Sequence, residues 1–520
     1  MKKSDLNLMT LEQGLGNRWR NLDSRIKLTV FCTLLWGLVA HGTVLFNKFC
    51  LHDDATFTYM LGATVDSGRW MLELLSALER AVTGGGHYSM PLLNGLASLV
   101  YIAVAAGVLV DLFDIRSRWL CAAVGGAMVS IPCITGLLGF MFTAPYYLLA
   151  MLATVVAAAM VCRSRKWYVV AIAAALMSCA MGVYQAYISM AIGIVLIHFF
   201  LERSRQENAD WKGFFCRAIC YGFVICAAVL SYYILSKVFL KLYQTQLNNY
   251  QGINKMGREG ISVYLGRLVL AYKAFFLPEL LEGASAHLVV MGLKLPYRLL
   301  LVLTGGLSLL LVVRAGKKSF WLGAQMAAMA ALLPLALCFI YVMGPDVHVL
   351  MVYAQVLLFV FGACLADRLC REKELLIRLL CLVLCLLMLL FPVLWTRYSN
   401  ALYLNVALSQ QQTISYFTTL VTQIKSAEGY RDELPIAYIG GFKSKTDKTL
   451  SPVPEFPWIR PYENSADLVN DASSKQFLER WCGFWAEEVE FDHPDIAAMP
   501  CYPDAGSIRV IEDVVVVKFR

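Results

Sequence analysis

Charge is scarce in this chain. Of its 520 residues only 16% are Asp, Glu, Lys or Arg, while 59% are apolar and the mean hydropathy is +0.60. Soluble domains carry about a quarter charged residues, so the shortage excludes a purely cytosolic globular enzyme and puts most of the chain in lipid. It is not uniform. Residues 396–520 hold 12 basic and 17 acidic residues, a soluble-like density, which leaves 33 basic and 20 acidic residues for the preceding 395. The positive excess belongs to the membrane part, where it sets orientation rather than binding nucleic acid. Internal repeats and low-complexity tracts are lacking too, which weighs against a transporter built from inverted repeats.

What is abundant is apolar length. A helix needs about 20 apolar residues to span a bilayer, and eleven such runs lie near 28–46, 90–112, 119–138, 146–162, 167–182, 186–201, 217–240, 296–313, 319–343, 348–366 and 374–395. The first is too long for a signal peptide and has no small-residue cleavage site, so it reads as a retained anchor. Lys2, Lys3, Arg18, Arg20, Arg25 and Lys27 precede it, and every second connection thereafter is basic: Arg116/Arg118, Arg163/Arg165/Lys166, Arg203/Arg205/Lys212/Arg217, Arg314/Lys317/Lys318 and Arg368/Arg371/Lys373. The connections 137–145, 183–185 and 344–348 have no Lys or Arg. By the positive-inside rule the amino terminus is cytoplasmic and the tail lies outside. Most of the 16 cysteines fall within apolar runs and act as small hydrophobes. Cys482 and Cys501 fall in the tail, where an oxidising compartment permits a bridge.

Two connections are too long for simple turns, 47–89 and 241–295. From Tyr59 to Ala81 the first reads as an amphipathic helix, with Val65, Trp70, Leu74 and Leu78 on one side and Asp66, Arg69, Glu73 and Arg80 on the other. The second repeats the device from Ile261 to Phe276, with Leu265, Leu268 and Phe275 set apart from Arg267 and Lys273. Both are expected at the membrane interface, framing one cavity. In the tail, a helix over 399–425 is expected to continue the last span. Beyond it come a strand at Ile436–Ile439, a Pro-rich loop at 451–461, a helix within 467–485 and a hairpin over 507–519 turning at Glu512-Asp513. The fold class is thus a polytopic all-α membrane protein of about eleven spans (1–395), followed by a small extracytoplasmic α/β domain (396–520).

The run Leu51-His52-Asp53-Asp54 carries the clearest chemical signal, because two acids and a histidine directly follow a span. A partly desolvated carboxylate beside a like charge has a raised pKa and serves as a general base; a plain helix N-cap is the alternative. Farther on come Asp66-Ser67-Gly68-Arg69-Trp70 and Gly182-Val183-Tyr184-Gln185, the latter with groups suited either to sugar hydroxyls or to interhelical hydrogen bonds. With Asn400-Ala-Leu-Tyr-Leu-Asn405, Tyr502-Pro-Asp-Ala-Gly-Ser507 and Val514-Val-Val-Val-Lys518, these segments resemble the glucosyltransferase II (Gtr) family of bacterial O-antigen-modifying enzymes, polytopic glycosyltransferases of the C class.

That resemblance implies a glucose donor on a polyprenyl phosphate, a glycan acceptor such as lipid-linked O-antigen, and action on the outer face of the bacterial cytoplasmic membrane. It also implies a base in the first external loop. Asp53 or Asp54 would accept the acceptor hydroxyl's proton as the bond to the lipid phosphate breaks, with inversion at the anomeric carbon. Arg69, Arg267, Lys294 and Arg298 are the candidate cations for the donor phosphate, or else anchors to anionic headgroups. His52, Asp66, Trp70, Glu73, Tyr184 and Gln185 are candidate substrate contacts. No cofactor is implied, and adjacent ligands on one segment argue against an obligatory metal. The absence of a glycine-rich nucleotide motif agrees with a lipid-linked donor. A transporter or flippase of lipid-linked intermediates is the competing expectation, and a non-catalytic membrane subunit a third.

Overall fold

The structure, a computed structural model, describes residues 16–17, 20–50, 54, 57, 61, 64–248, 259–281, 293–344, 347–440 and 471–519. In chain order its principal helices are α1 (Ser24–Phe46), α2 (Trp70–Thr83), α3 (Pro91–Phe113), α4 (Arg118–Ser130), α5 (Pro132–Leu138), α6 (Ala144–Arg163), α7 (Trp167–Val183), α8 (Ile188–Arg203) and α9 (Trp211–Leu242). They continue with α10 (Ile261–Phe276), α11 (Lys294–Lys318), α12 (Phe320–Leu337), α13 (Val356–Leu369), α14 (Leu375–Lys425) and α15 (Asp471–Cys482). Eleven spans are expected from apolar length. Among the described residues nine helices are long and apolar enough to cross a membrane, and the pair α4–α5, bent by 42°, makes a tenth. The remaining run is α7, apolar but only 17 residues long. The bend has a local cause: Pro132 has no N–H to give and biases Ile131 to extended backbone, so α4 stops at Ser130 and α5 restarts with proline in its first turn.

Outward apolar side chains such as Phe31, Leu35, Leu93, Phe223 and Val302 are exposed, as a surface facing lipid requires. Because lipid is as apolar as leucine, helix association there depends on close packing at small residues. Gly125 shows this where α4 crosses α1. A Cβ there would sit 2.5 Å from Thr33 Oγ1 and 3.0 Å from the Thr29 carbonyl oxygen, so the backbones touch only because no side chain intervenes. Gly125→Leu is expected to cost about 1–3 kcal/mol through overpacking, read as a lowered thermal midpoint of the detergent-solubilised protein. Polar groups in the same region are paired. His41 is fully buried, its Nε2 donating to the Val129 carbonyl at 2.8 Å and its Nδ1 accepting from the Tyr403 hydroxyl at 2.9 Å. Asp367 accepts the Arg116 and Ser117 amides at 3.0 and 2.7 Å, satisfying donors at the start of α4.

At 51 residues, α14 is about 75 Å long, more than twice the thickness of a bilayer's hydrocarbon core. Residues 399–425 prolong the last apolar run without a break, as expected. Asn400 ties it to α1 by donating to the Val39 carbonyl at 3.0 Å. Past its end, β1 (Ile436–Ile439), β2 (Ile508–Ile511) and β3 (Val514–Lys518) form a sheet of order β1-β3-β2, with β3 parallel to β1 and antiparallel to β2. The hairpin turns through Glu512 and Asp513, both at positive φ (47° and 63°), the left-handed pair that matches strand twist. Val515, Val516 and Val517 are buried because β3 is the central strand. Phe417 of α14 and Phe477 of α15 pack ring on ring at 5.5 Å beside this sheet. Cys482 and Cys501 are both free thiols, and the Pro-rich loop at 451–461 lies outside the described residues.

Candidate active site

Asp54 lies eight residues beyond the end of α1, and the fold buries it to 2% exposure. The segment between them is stapled to α14, where Gln410 accepts the Cys50 amide at 2.6 Å and donates to the Lys48 carbonyl at 3.2 Å. Lys48, brought alongside, contacts the Asp54 carboxylate directly. Ser89, just before α3, donates to the same carboxylate at 2.6 Å and accepts from Lys48 at 2.9 Å, while the Phe142 amide supplies a further hydrogen bond. Burial pushes the Asp54 pKa above its ordinary 3.8, against the opposing pull of Lys48, Ser89 and Phe142. Asp53 and His52 lie outside the described residues.

Behind Asp54 a second group of polar residues meets the same backbone. His87, 3% exposed, places Nε2 2.6 Å from the Phe142 carbonyl oxygen and Nδ1 2.9 Å from the Glu79 carboxylate, which the Tyr146 hydroxyl also contacts. Both ring nitrogens thus lie within hydrogen-bond distance of oxygen atoms, one on the backbone and one on a side chain. Glu79 stands out in the sequence only as one of a few outer carboxylates, and Lys48, His87, Ser89 and Tyr146 are not picked out at all. His87 had one available signal, a lone histidine after the run Gly84-Gly85-Gly86, at the end of an amphipathic helix. His87→Ala is expected to lower kcat about fivefold with KM unchanged, because losing one hydrogen bond (about 1 kcal/mol) loosens the segment that holds Asp54. Restoration by His87→Gln, which keeps a donor, would separate this from a change of charge.

The second cluster surrounds Gly68. The expected helix from Tyr59 is interrupted: Val65–Ser67 forms a single 3-10 turn, Gly68 takes φ +71°, and α2 begins only at Trp70. A side chain at Gly68 would meet the Tyr232 hydroxyl at 2.6 Å and Gln185 Nε2 at 3.0 Å. Gln185 donates to the Ser67 carbonyl at 2.9 Å and to the Tyr232 hydroxyl at 3.0 Å. Asp66 accepts from the Asn248 side chain at 3.2 Å. Tyr184 stacks on Tyr147 at 4.6 Å, and the Arg69 guanidinium lies 5.8 Å from the centre of each ring. Trp70 is buried, stacked on Phe239 at 5.4 Å and pressed against Gly182; its Nε1 finds no hydrogen-bond partner among the described residues. Glu73 faces Arg80 at 3.5 Å instead of orienting Arg69.

The remaining candidate cations gather elsewhere. Arg267 is 7% exposed and pairs with Glu259 at 2.6 Å, on the buried face of α10, whereas Leu265 and Val269 face outward. Sequence periodicity put Arg267 on a separate polar face. The structure splits both expected faces: Arg267 and Phe275 are buried with Ala271 and Ala274, while Lys273 and Leu265 are exposed, because the side of α10 that packs on α12 carries residues of both kinds. Arg298, exposed on α11, donates through Nε to Glu279 at 3.0 Å. Burial pushes the Glu279 carboxyl up, but its own backbone amide, Arg298 and nearby Lys294 outweigh this and hold it below the usual range. So α10 and α11 carry one set of cations, with α10 packed on α12, while α2 packs on α7 and α9 and carries Arg69.

The start of α6 links the first two clusters. Phe142 meets Asp54 and His87, Tyr146 reaches Glu79, and Tyr147 lies under Arg69. A buried, raised-pKa carboxylate and a guanidinium beside a stacked pair of tyrosines therefore flank one helix start, an arrangement fit for taking a proton and holding an anion.

The model of the family described as Glucosyl transferase GtrII matches residues 42–359. That span contains Asp54, Arg69, Tyr184, Gln185, Arg267, Lys294 and Arg298, and ends before Asn400 and the tail. Comparison with curated proteins and with solved structures gives no match. Since the matched residues make up more than half of the chain, it belongs to the GtrII glucosyltransferase family.

Proposed function

We propose that this glucosyltransferase takes glucose from a polyprenyl phosphate and transfers it, with inversion, to a surface glycan such as O-antigen on the outer face of a bacterial cytoplasmic membrane. The observation that carries the reading is Asp54, a carboxylate desolvated beside Lys48 and Ser89, whose raised pKa suits it to general-base work. The acceptor hydroxyl gives its proton to Asp54 as its oxygen bonds to the anomeric carbon. The bond from that carbon to the lipid phosphate breaks, and the phosphate leaves with the bonding pair. Arg69 holds the departing charge, with Tyr147 and Tyr184 beside it. Asp66, Glu73, Gln185 and Trp70 shape the surroundings, and Asp53 and His52 belong to the same external loop. The basic connections on alternate sides support a cytoplasmic amino terminus and an extracytoplasmic tail.

Purified protein given polyprenyl-phosphoglucose and lipid-linked O-antigen should release polyprenyl phosphate and glucosylate the acceptor. Translocation of the donor without transfer would instead support a flippase. Sidedness has its own test. Tyr88 is exposed next to His87 and Ser89, so Tyr88→Cys in intact spheroplasts should react with an impermeant maleimide above the level of the parent chain. Reaction only after lysis would overturn the outer-face assignment.

A further inference from the structure

At the far end of the same helices lies a cavity of about 290 Å³ that the transfer reaction does not use. Helix α3 starts at Pro91, two residues past Ser89, and runs 23 residues, about 35 Å, to Phe113, which lines this cavity. The site therefore lies a membrane's thickness away from Asp54. It opens to the surface and is lined by the ends of α3, α6, α8 and α13 and the first turns of α9. Five arginines line it, Arg163, Arg165, Arg205, Arg217 and Arg368, against two carboxylates, Asp114 and Glu202.

Part of this charge has a partner inside the protein. Arg163 pairs with Asp111 and Arg217 with Glu202, while Arg368 donates to the Leu201 carbonyl at 2.7 Å and to Ser204 Oγ at 3.1 Å. Arg165 and Arg205 are different. Both line the cavity, and among the described residues neither guanidinium has a hydrogen-bond or ion-pair partner. His198, on the same wall, has a buried Nδ1 that is also unpaired. Arg165 and Arg205 are exposed at the cavity mouth, where their guanidinium forks are available to a bound anion through paired N–H bonds.

We propose that this cavity is a binding site for a phosphate group, held chiefly by the forks of Arg165 and Arg205. Its volume is at the lower limit for small-molecule sites and fits a single phosphate-bearing headgroup rather than a nucleotide sugar. Its place at the ends of the spans is the level at which phospholipid headgroups lie. The phosphate comes either from an anionic lipid or from a soluble phosphate compound, and the test separates the two.

The full chain, delipidated in neutral detergent, is titrated with dioctanoyl phosphatidylglycerol, with inorganic phosphate and with pyrophosphate, and binding is followed by calorimetry and by native mass spectrometry. At least one probe should bind, more weakly at higher salt. Arg165→Gln with Arg205→Gln should weaken it by at least about tenfold, the loss expected for removing charge-assisted pairs. Binding of the lipid alone identifies a headgroup site, and binding of phosphate or pyrophosphate identifies a soluble ligand. Failure of all three probes to bind, or unchanged affinity in the double variant, overturns the proposal. Should the double variant not fold, Arg165→Lys with Arg205→Lys keeps the charge but removes the fork. It should bind less tightly than the parent, and equal affinity overturns the proposal as well.

Discussion

Asp54→Asn is expected to lower kcat by about 10²–10⁴-fold, the usual contribution of a positioned general base, while leaving a folded protein. The amide keeps the shape of the carboxylate and still meets Ser89 and Phe142. The pH dependence carries the sharper signature. Burial raises the Asp54 pKa above 3.8, and the base works only when ionised, so the acid limb of kcat/KM should lie above the ordinary carboxylate range. Lys48 opposes that shift, so Lys48→Met should move the limb to still higher pH. Stability follows the same sign. A folded pKa above the unfolded one means that the group's contribution is complete below the unfolded pKa and is lost as pH rises through the folded value. Wild-type thermal stability should therefore fall relative to Asp54→Asn over that interval. Full transfer activity in Asp54→Asn would remove the base assignment.

Arg69→Ala is the second large effect, an expected loss of about 10²–10³-fold in kcat if the guanidinium holds the leaving phosphate in the transition state. Arg69→Lys should recover only part of this, because a compact ammonium cannot offer a fork to phosphate. Arg298→Ala should cost much less. Arg298 is 57% exposed and already engaged by Glu279, so most of its charge is spent within the protein. Steady-state kcat and KM with polyprenyl-phosphoglucose decide the matter. An Arg69→Ala enzyme within threefold of wild type would put the donor phosphate elsewhere, with the Arg298 and Lys294 region the next to examine.

Much of the architecture is legible before any coordinate is consulted, for reasons that differ by element. Apolar length marks the spans because each backbone group in lipid must be satisfied within its own helix. The hairpin at Glu512-Asp513 is readable because β-branched runs flank a two-residue turn. Asp54 is legible as one of two acids that directly follow a span. Its partners are not: Ser89 lies 35 residues away, and Phe142, which joins it to His87, 55 residues beyond His87. The face of α10 is misread for another reason. Periodicity groups Arg267 with Lys273 and Leu265 with Phe275, but the neighbouring helix buries Arg267 and Phe275 and leaves Lys273 and Leu265 exposed.

Composition, apolar length and the placement of basic residues were enough to establish a polytopic helical membrane protein with a more polar tail, because burial in lipid and crossing a membrane are properties of local segments. Which carboxylate is desolvated, which arginine rests on aromatic rings and which is neutralised by a neighbour depend on contacts between segments far apart in the chain. Burial and charge pairing are set by what surrounds a group in space, and the pairing of α2 with α7 and of the α1 loop with α14 brings those surroundings into being.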